Sequence, residues 1–128
     1  MKMVFVTLMG MIVISNSAYS MGGDKPGPNG GFVKMPGTYH VELVPKKDKV
    51  LVYLLDLSLK NPISQDSSVT LKLINKETKE LGCKVENKYF ICNISSAEFA
   101  QYSEVNVESI RNKIKGKVAV YKIPLKFD

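Results

Sequence analysis

From Phe32 to Phe127 the chain is a succession of short apolar runs separated by turn residues, with no stretch that keeps the three-to-four-residue period of a long helix. Residues 67–75 alternate cleanly. Val69, Leu71 and Leu73 face one way and Thr70 and Lys72 the other, as in a half-buried strand. Residues 49–59 are the most apolar run after the N-terminal segment and alternate poorly over their first half, the pattern of a central strand covered on both sides; Asn61-Pro62 ends it. Residues 32–35 and 38–44 flank Pro36-Gly37, which suits the two central positions of a type II turn. Two further strands, 104–113 and 117–127, are expected to turn around Lys115-Gly116, and a hairpin is expected around Asn87-Lys88. Ser95-Ser96-Ala97-Glu98 reads as a capping box that starts one or two helical turns running to Tyr102. About seven strands with one short helical crossover predict an all-β, antiparallel, immunoglobulin-like Greek-key sandwich; a small β-barrel is the alternative.

Two N-terminal segments break this pattern. Residues 1–20 carry Lys2, then an apolar run from Met3 to Ile14, then Ala18-Tyr19-Ser20, which fits a small-x-small cleavage site. The run falls short of the roughly 20 residues needed to cross a bilayer. It is therefore read as a cleaved signal peptide, with Met21 as the mature N-terminus, and the protein is expected in the periplasm or outside the cell. Residues 21–31 are rich in Gly and Pro and are expected to form an extended or mobile arm with nothing to bury. Residues 32–128 then form a single domain, long enough for one core and too short for two.

Charge narrows the partners. The net charge is +6, and Lys2 is the one ionic residue lost with the signal. A basic surface favours anionic partners such as an envelope polymer or lipid headgroups. The positive charge is nearly all lysine, however, with Arg111 the only arginine, whereas planar recognition of phosphates and base edges prefers arginine. Nucleic acid is not expected as a partner.

The only two cysteines, Cys83 and Cys92, can be placed by counting outward from a two-residue loop at Asn87-Lys88. Glu86 then faces Tyr89, Val85 faces Phe90, Lys84 faces Ile91 and Cys83 faces Cys92. Alternation puts the cysteines at a non-hydrogen-bonded pair, with Cα atoms about 4.5 Å apart. That is within disulfide range. Leu81, Cys83 and Val85 share the apolar face of this ribbon with Phe90, Cys92 and Ile94, so a structural disulfide is expected. A metal or redox pair would call for Cys-x-x-Cys spacing or a neighbouring histidine, and the chain has neither.

Candidate chemistry reduces to one histidine. In Thr38-Tyr39-His40-Val41-Glu42-Leu43-Val44, the residues Tyr39, Val41 and Leu43 should face the core, leaving His40 and Glu42 together on the opposite, solvated face. Met35 on the neighbouring strand and Met21 near the mature N-terminus add thioether sulfur. Thioether with imidazole suits Cu(I). A single histidine does not furnish the three or four protein ligands of a zinc site. The serines lie in turns, no Gly-x-Ser-x-Gly occurs, and Gly27-Pro28-Asn29-Gly30-Gly31 lacks the Lys-Ser/Thr ending of a phosphate loop. No catalytic residues and no enzyme activity are expected.

The series Gly27-Pro28-Asn29-Gly30-Gly31, then Tyr39-His40-Val41-Glu42-Leu43-Val44, then Val50-Leu51-Val52-Tyr53-Leu54-Leu55-Asp56 resembles small exported β-sandwich modules. One such module is the N-terminal domain of periplasmic adaptor proteins of heavy-metal cation efflux systems. The resemblance covers about residues 27–62. Those proteins often carry histidines around the Gly-Pro segment, where this chain has Asp24 and Asn29, so the resemblance carries over His40 and Glu42 alone. The expectation is an exported, non-enzymatic binding or accessory module of the bacterial periplasm or envelope. Its rivals are a copper-binding protein using His40 with Met35 and Met21, and a protein whose basic surface binds an anionic envelope polymer or lipid.

Overall fold

The computed structural model describes residues 24–128; the segment read as a signal peptide, and Met21, lie outside the described residues. In chain order the strands are β1 (Lys25–Pro26), β2 (Phe32–Lys34), β3 (His40–Pro45), β4 (Val50–Leu55), β5 (Ser68–Ile74), β6 (Thr78–Gly82), β7 (Lys84–Glu86) and β8 (Tyr89–Cys92). A single helical turn α1 (Ser96–Phe99) follows, and β9 (Glu104–Arg111), β10 (Ile114–Lys115) and β11 (Ala119–Lys122) complete the chain. All pairings within the two sheets are antiparallel. The first sheet runs β1-β2-β3-β4-β8-β7; in the second, β6-β5-β9 is continued by both β10 and β11 along the far side of β9. The chain leaves the first sheet after β4, makes β5 and β6 in the second, returns as β7 and β8 beside β4, and crosses again through α1 to β9 beside β5. This is the expected Greek-key sandwich, and neither sheet closes into a barrel.

Period-two alternation builds the core. Val41 and Leu43 of β3, Val50, Val52 and Leu54 of β4, Val69, Leu71 and Leu73 of β5, Val105 and Val107 of β9 and Tyr121 of β11 pack together between the sheets. Polar ties cross the same space. The Tyr121 hydroxyl donates to the carbonyls of Phe32 (3.0 Å) and Val41 (2.9 Å), and the Tyr39 and Ser109 hydroxyls meet at 2.7 Å. Arg111 donates through Nε to the Leu54 carbonyl (3.2 Å) and through Nη2 to that of Asn61 (2.7 Å).

Several sequence expectations are corrected. The strand 49–59 stops at Leu55, because the Asp56 carboxylate captures the N–H groups of Ser58 and Lys60 (both 2.9 Å) and folds the chain into a turn. Gly37 does not adopt the positive φ that a type II turn requires; residues 35–39 form a longer bend whose Gly37 lies close against the backbone at Lys117. The last hairpin turns at Asn112-Lys113 (φ 50° and 70°) rather than at Lys115-Gly116, held there by Asn112 N–H to Ser67 Oγ (2.9 Å) and Lys113 N–H to the Asp66 carbonyl (2.8 Å). The Ser95 side chain caps α1 by accepting from Glu98 N–H at 3.2 Å, but the Glu98 carboxylate meets Lys79 Nζ at 2.7 Å, so half of the capping box is spent on another strand. The described residues form eleven strands, more than expected, because the N-terminal arm adds β1, the chain changes sheet between β6 and β7, and the Asn112-Lys113 turn adds β10.

The largest correction concerns residues 21–31. From Asp24 onward this segment is part of the sandwich. Its strand β1 pairs with β2, and Asp24 and Phe127 form a parallel bridge. The Phe32 and Phe127 rings stack at 4.2 Å. The arm does have something to bury.

Candidate functional site

The arm covers a carboxylate. Glu42 lies on the outer side of β3, as period-two alternation demands, yet it is fully buried rather than solvated. Gly27 and Gly31 explain why: a Cβ at Gly27 would collide with the Glu42 carboxylate and one at Gly31 with the Leu43 carbonyl and the Val44 side chain, so only glycine lets the backbone lie this close to β3. Glu42 Oε2 accepts from the N–H groups of Asn29 (2.9 Å) and Gly31 (2.8 Å), and Oε1 from Asn29 Nδ2 (2.8 Å). Gly30, at φ 80°, makes the turn that aims these donors. The carboxylate is therefore satisfied by N–H dipoles and works as a latch. Both of its oxygens are occupied, and it does not share a solvated face with His40.

His40 is half-buried at the other end of the same strand face. Its Nδ1 lies 2.9 Å from the Asp56 carbonyl. A carbonyl only accepts, so Nδ1 carries the proton and the neutral ring keeps its lone pair on Nε2. Asp56 is itself fixed. Besides the Ser58 and Lys60 amides, it accepts from Asn61 Nδ2 at 2.7 Å, and the Lys60 hydrogen bond first, then that of Asn61, holds its carboxyl below the usual range. Metal-binding histidines are commonly oriented by such a carbonyl contact.

His40 lines an open depression of about 680 Å³ together with Met35, Val33, Leu59, Pro26 and the ionic residues Asp24, Lys25, Lys34 and Asp128. The structure thus brings His40 and Met35 to one site and separates Glu42 from it. Met35 is 51% exposed. In one wall Lys34 Nζ pairs with the buried Asp24 carboxylate at 2.6 Å and lies 5.4 Å from the centre of the Tyr121 ring. Among the described residues no group of three or more His, Cys, Asp and Glu side chains is arranged to hold a metal ion. The soft donors in the depression are the His40 imidazole and the Met35 thioether.

Cys83 and Cys92 form the expected disulfide, with Cα atoms 4.4 Å apart and the predicted hairpin register of Lys84 with Ile91, Val85 with Phe90 and Glu86 with Tyr89. Its position was not foreseen. Cys83 is where the chain passes between sheets; its N–H donates to Val69 of β5 at 3.0 Å while its sulfur joins Cys92 of β8. Val85 faces the same way as Phe90 but, on the edge strand β7, is 55% exposed.

Sequence reasoning passed over Asp56, Asn29 and Arg111 as structural anchors. For Asp56 a signal existed, since an Asp that ends an apolar run two residues before Ser and five before Asn-Pro is placed for a side-chain-to-backbone turn. Among the described residues no helix is long and apolar enough to cross a membrane. Comparison with protein-family models, curated proteins and solved structures gave no match.

Proposed function

We propose that the protein is an exported, non-enzymatic β-sandwich that serves as a binding or accessory module of the bacterial envelope, with the depression around His40 as its binding site. The observation that carries this reading is the make-up of that depression. An apolar lining of Pro26, Val33, Met35 and Leu59 surrounds one imidazole oriented by the Asp56 carbonyl and a few charged groups. Binding sites combine apolar walls with a few placed polar groups in this way. The disulfide between the sheets is compatible with an oxidising compartment. The test replaces Met35 and Leu59 in turn by a photo-crosslinking phenylalanine analogue in cells, with Glu80 on the outer face of the second sheet as control. A defined adduct from the first two positions and none from Glu80 is expected. Equal labelling from all three positions, or none from any, overturns the site.

A soft metal is the second reading, favoured by the free Nε2 of His40 beside the exposed thioether of Met35. In competition with a chromogenic chelator under anaerobic conditions, Cu(I) is expected to bind one-to-one. His40→Ala should weaken it at least about tenfold, the equivalent of about 1.4 kcal/mol. Unchanged affinity removes this reading.

A further inference from the structure

We infer that the end of the sandwich formed by residues 111–118 and the Asp56–Asn61 turn docks onto an anionic lipid surface. The inference rests on the reading of the chain as an envelope protein and gives its positive charge a location. In Arg111-Asn112-Lys113-Ile114-Lys115-Gly116-Lys117-Val118, basic and apolar side chains alternate across a tight turn whose residues 112–115 are all exposed. Ile114 is 56% exposed and Val118 42%, although both are aliphatic. Leu57, at 67%, is the most exposed large apolar side chain among the described residues. The turn that carries it is fastened to the same end by Arg111, whose guanidinium holds the carbonyls of Leu54 and Asn61. Lys60, Lys113, Lys115 and Lys117 are exposed there, with Asp66 and the turn-bound Asp56 among the acids of this end, while Asp24 and Asp128 line the depression that Leu59 borders.

Two contrasts favour this end: the loop of Lys46, Lys47 and Lys49 has no exposed large apolar side chain within it, and the lysines on the outer face of the second sheet are paired. On the outer face of the second sheet Lys72 pairs with Glu80 and Glu108, and Lys122 with Glu104, while at the foot of β6 Lys79 pairs with Glu98. Those lysines spend their charge within the protein. At the 111–118 end, lysines surround exposed aliphatic groups, which is how proteins combine attraction to anionic headgroups with shallow apolar insertion. A soluble polyanion would use the charge and have no use for Ile114, Val118 and Leu57. A bilayer surface uses both.

The test is co-sedimentation of the chain from Met21 onward with vesicles of phosphatidylethanolamine containing phosphatidylglycerol, and with vesicles of phosphatidylcholine alone. Binding to the first, weakening steeply with salt, is expected, with little to the second. Each lysine at such a surface is worth about fivefold, so Lys113→Gln, Lys115→Gln and Lys117→Gln together should lower partitioning about a hundredfold. Ile114→Ser alone should lower it several-fold, while Lys79→Gln leaves it unchanged. Because Ile114 and these lysines are exposed, urea unfolding of the variants should match the parent. Equal binding to both vesicle types overturns the inference, as does indifference to the triple substitution, or binding to soluble polyphosphate that rivals binding to the anionic vesicles and ignores Ile114→Ser. Cell fractionation separates the two levels. An exported chain that fails to bind vesicles removes only the lipid surface, whereas a chain retained in the cytoplasm removes the envelope reading on which it rests.

Discussion

Removing the Glu42 carboxylate is the sharpest perturbation of this fold, because one side chain holds a whole segment. Three N–H donors converge on it at 2.8–2.9 Å, and their backbone lies so close that two glycines are needed to make room. In Glu42→Ala the Gly31 N–H is left buried without an acceptor, at about 1–3 kcal/mol, while Asn29 is exposed enough for water to take over its donors. The bonds to a charged acceptor contribute about 1.5–3 kcal/mol each, partly offset because a carboxylate no longer has to be desolvated. The net loss should be about 3–4 kcal/mol, a large fraction of the roughly 5–15 kcal/mol that stabilises an ordinary domain. Glu42→Gln keeps one oxygen for the two backbone donors and sets its NH2 against Asn29 Nδ2 unless that amide flips, so it should cost about 1–2 kcal/mol. Equilibrium urea unfolding with the disulfide intact gives the totals, and amide exchange at Gly31 reports the latch itself. If Glu42→Ala costs less than about 1 kcal/mol and Gly31 exchange is unaltered, the carboxylate does not hold the segment and the argument fails.

Three further outcomes follow from the same reasoning. Replacing Cys83 and Cys92 by Ser opens a loop of sequence separation 9 and should cost about 2–3 kcal/mol in urea unfolding; a midpoint unchanged from the oxidised parent would contradict it. Tyr121→Phe removes the one hydroxyl that serves the carbonyls of Phe32 and Val41 and should cost about 1–2 kcal/mol, with unfolding at the parent midpoint as the contrary result. For Asp56 the folded carboxyl sits below its ordinary value, so its contribution is complete above the unfolded pKa, about 4, and is lost as pH falls through the folded one. Thermal unfolding followed from neutral pH into acid should therefore show a shallower decline in Asp56→Asn than in the parent, and parallel curves would exclude the linkage.

What was legible in the sequence is what short range decides. The cystine register followed from period-two alternation and a two-residue loop, and the core positions of β3 and β5 from the same alternation. The outward direction of Glu42 was also readable; its burial was not. The cover comes from donors eleven and thirteen residues earlier, in a Gly-Pro segment whose composition by itself signals mobility. The hairpin at Asn112-Lys113 was misplaced for a related reason. Lys115-Gly116 offers the better local turn chemistry, but Asp66 and Ser67, far away in sequence, fix the register. The site was half legible: His40 and Met35 do line one depression, while Asp56, which sets the imidazole tautomer, contributes a backbone carbonyl that no residue pattern announces.

The outer face of the first sheet is thus divided along β3, and the division decides which substitutions can speak about function. At Glu42 the face is sealed by the arm, and Gly27, Asn29, Gly30 and Gly31 are all accounted for by the needs of that seal: space, a donor, a positive φ and space again. A defect caused by changing any of them reports the latch, because the segment that lifts off also carries Lys25 and Pro26 in the wall of the depression. At His40 the face is open. The imidazole is hydrogen-bonded to the Asp56 carbonyl and touches neither the Glu42 latch nor its donors by any hydrogen bond, and Met35 is half exposed, so substitutions at these two positions should leave the core and the latch in place. Binding lost by His40→Ala or Met35→Ser at parental stability therefore belongs to the site. The same loss in Gly31→Ala follows from the fold alone, and a comparison of the two variants separates a recognition surface from the scaffold that shapes it.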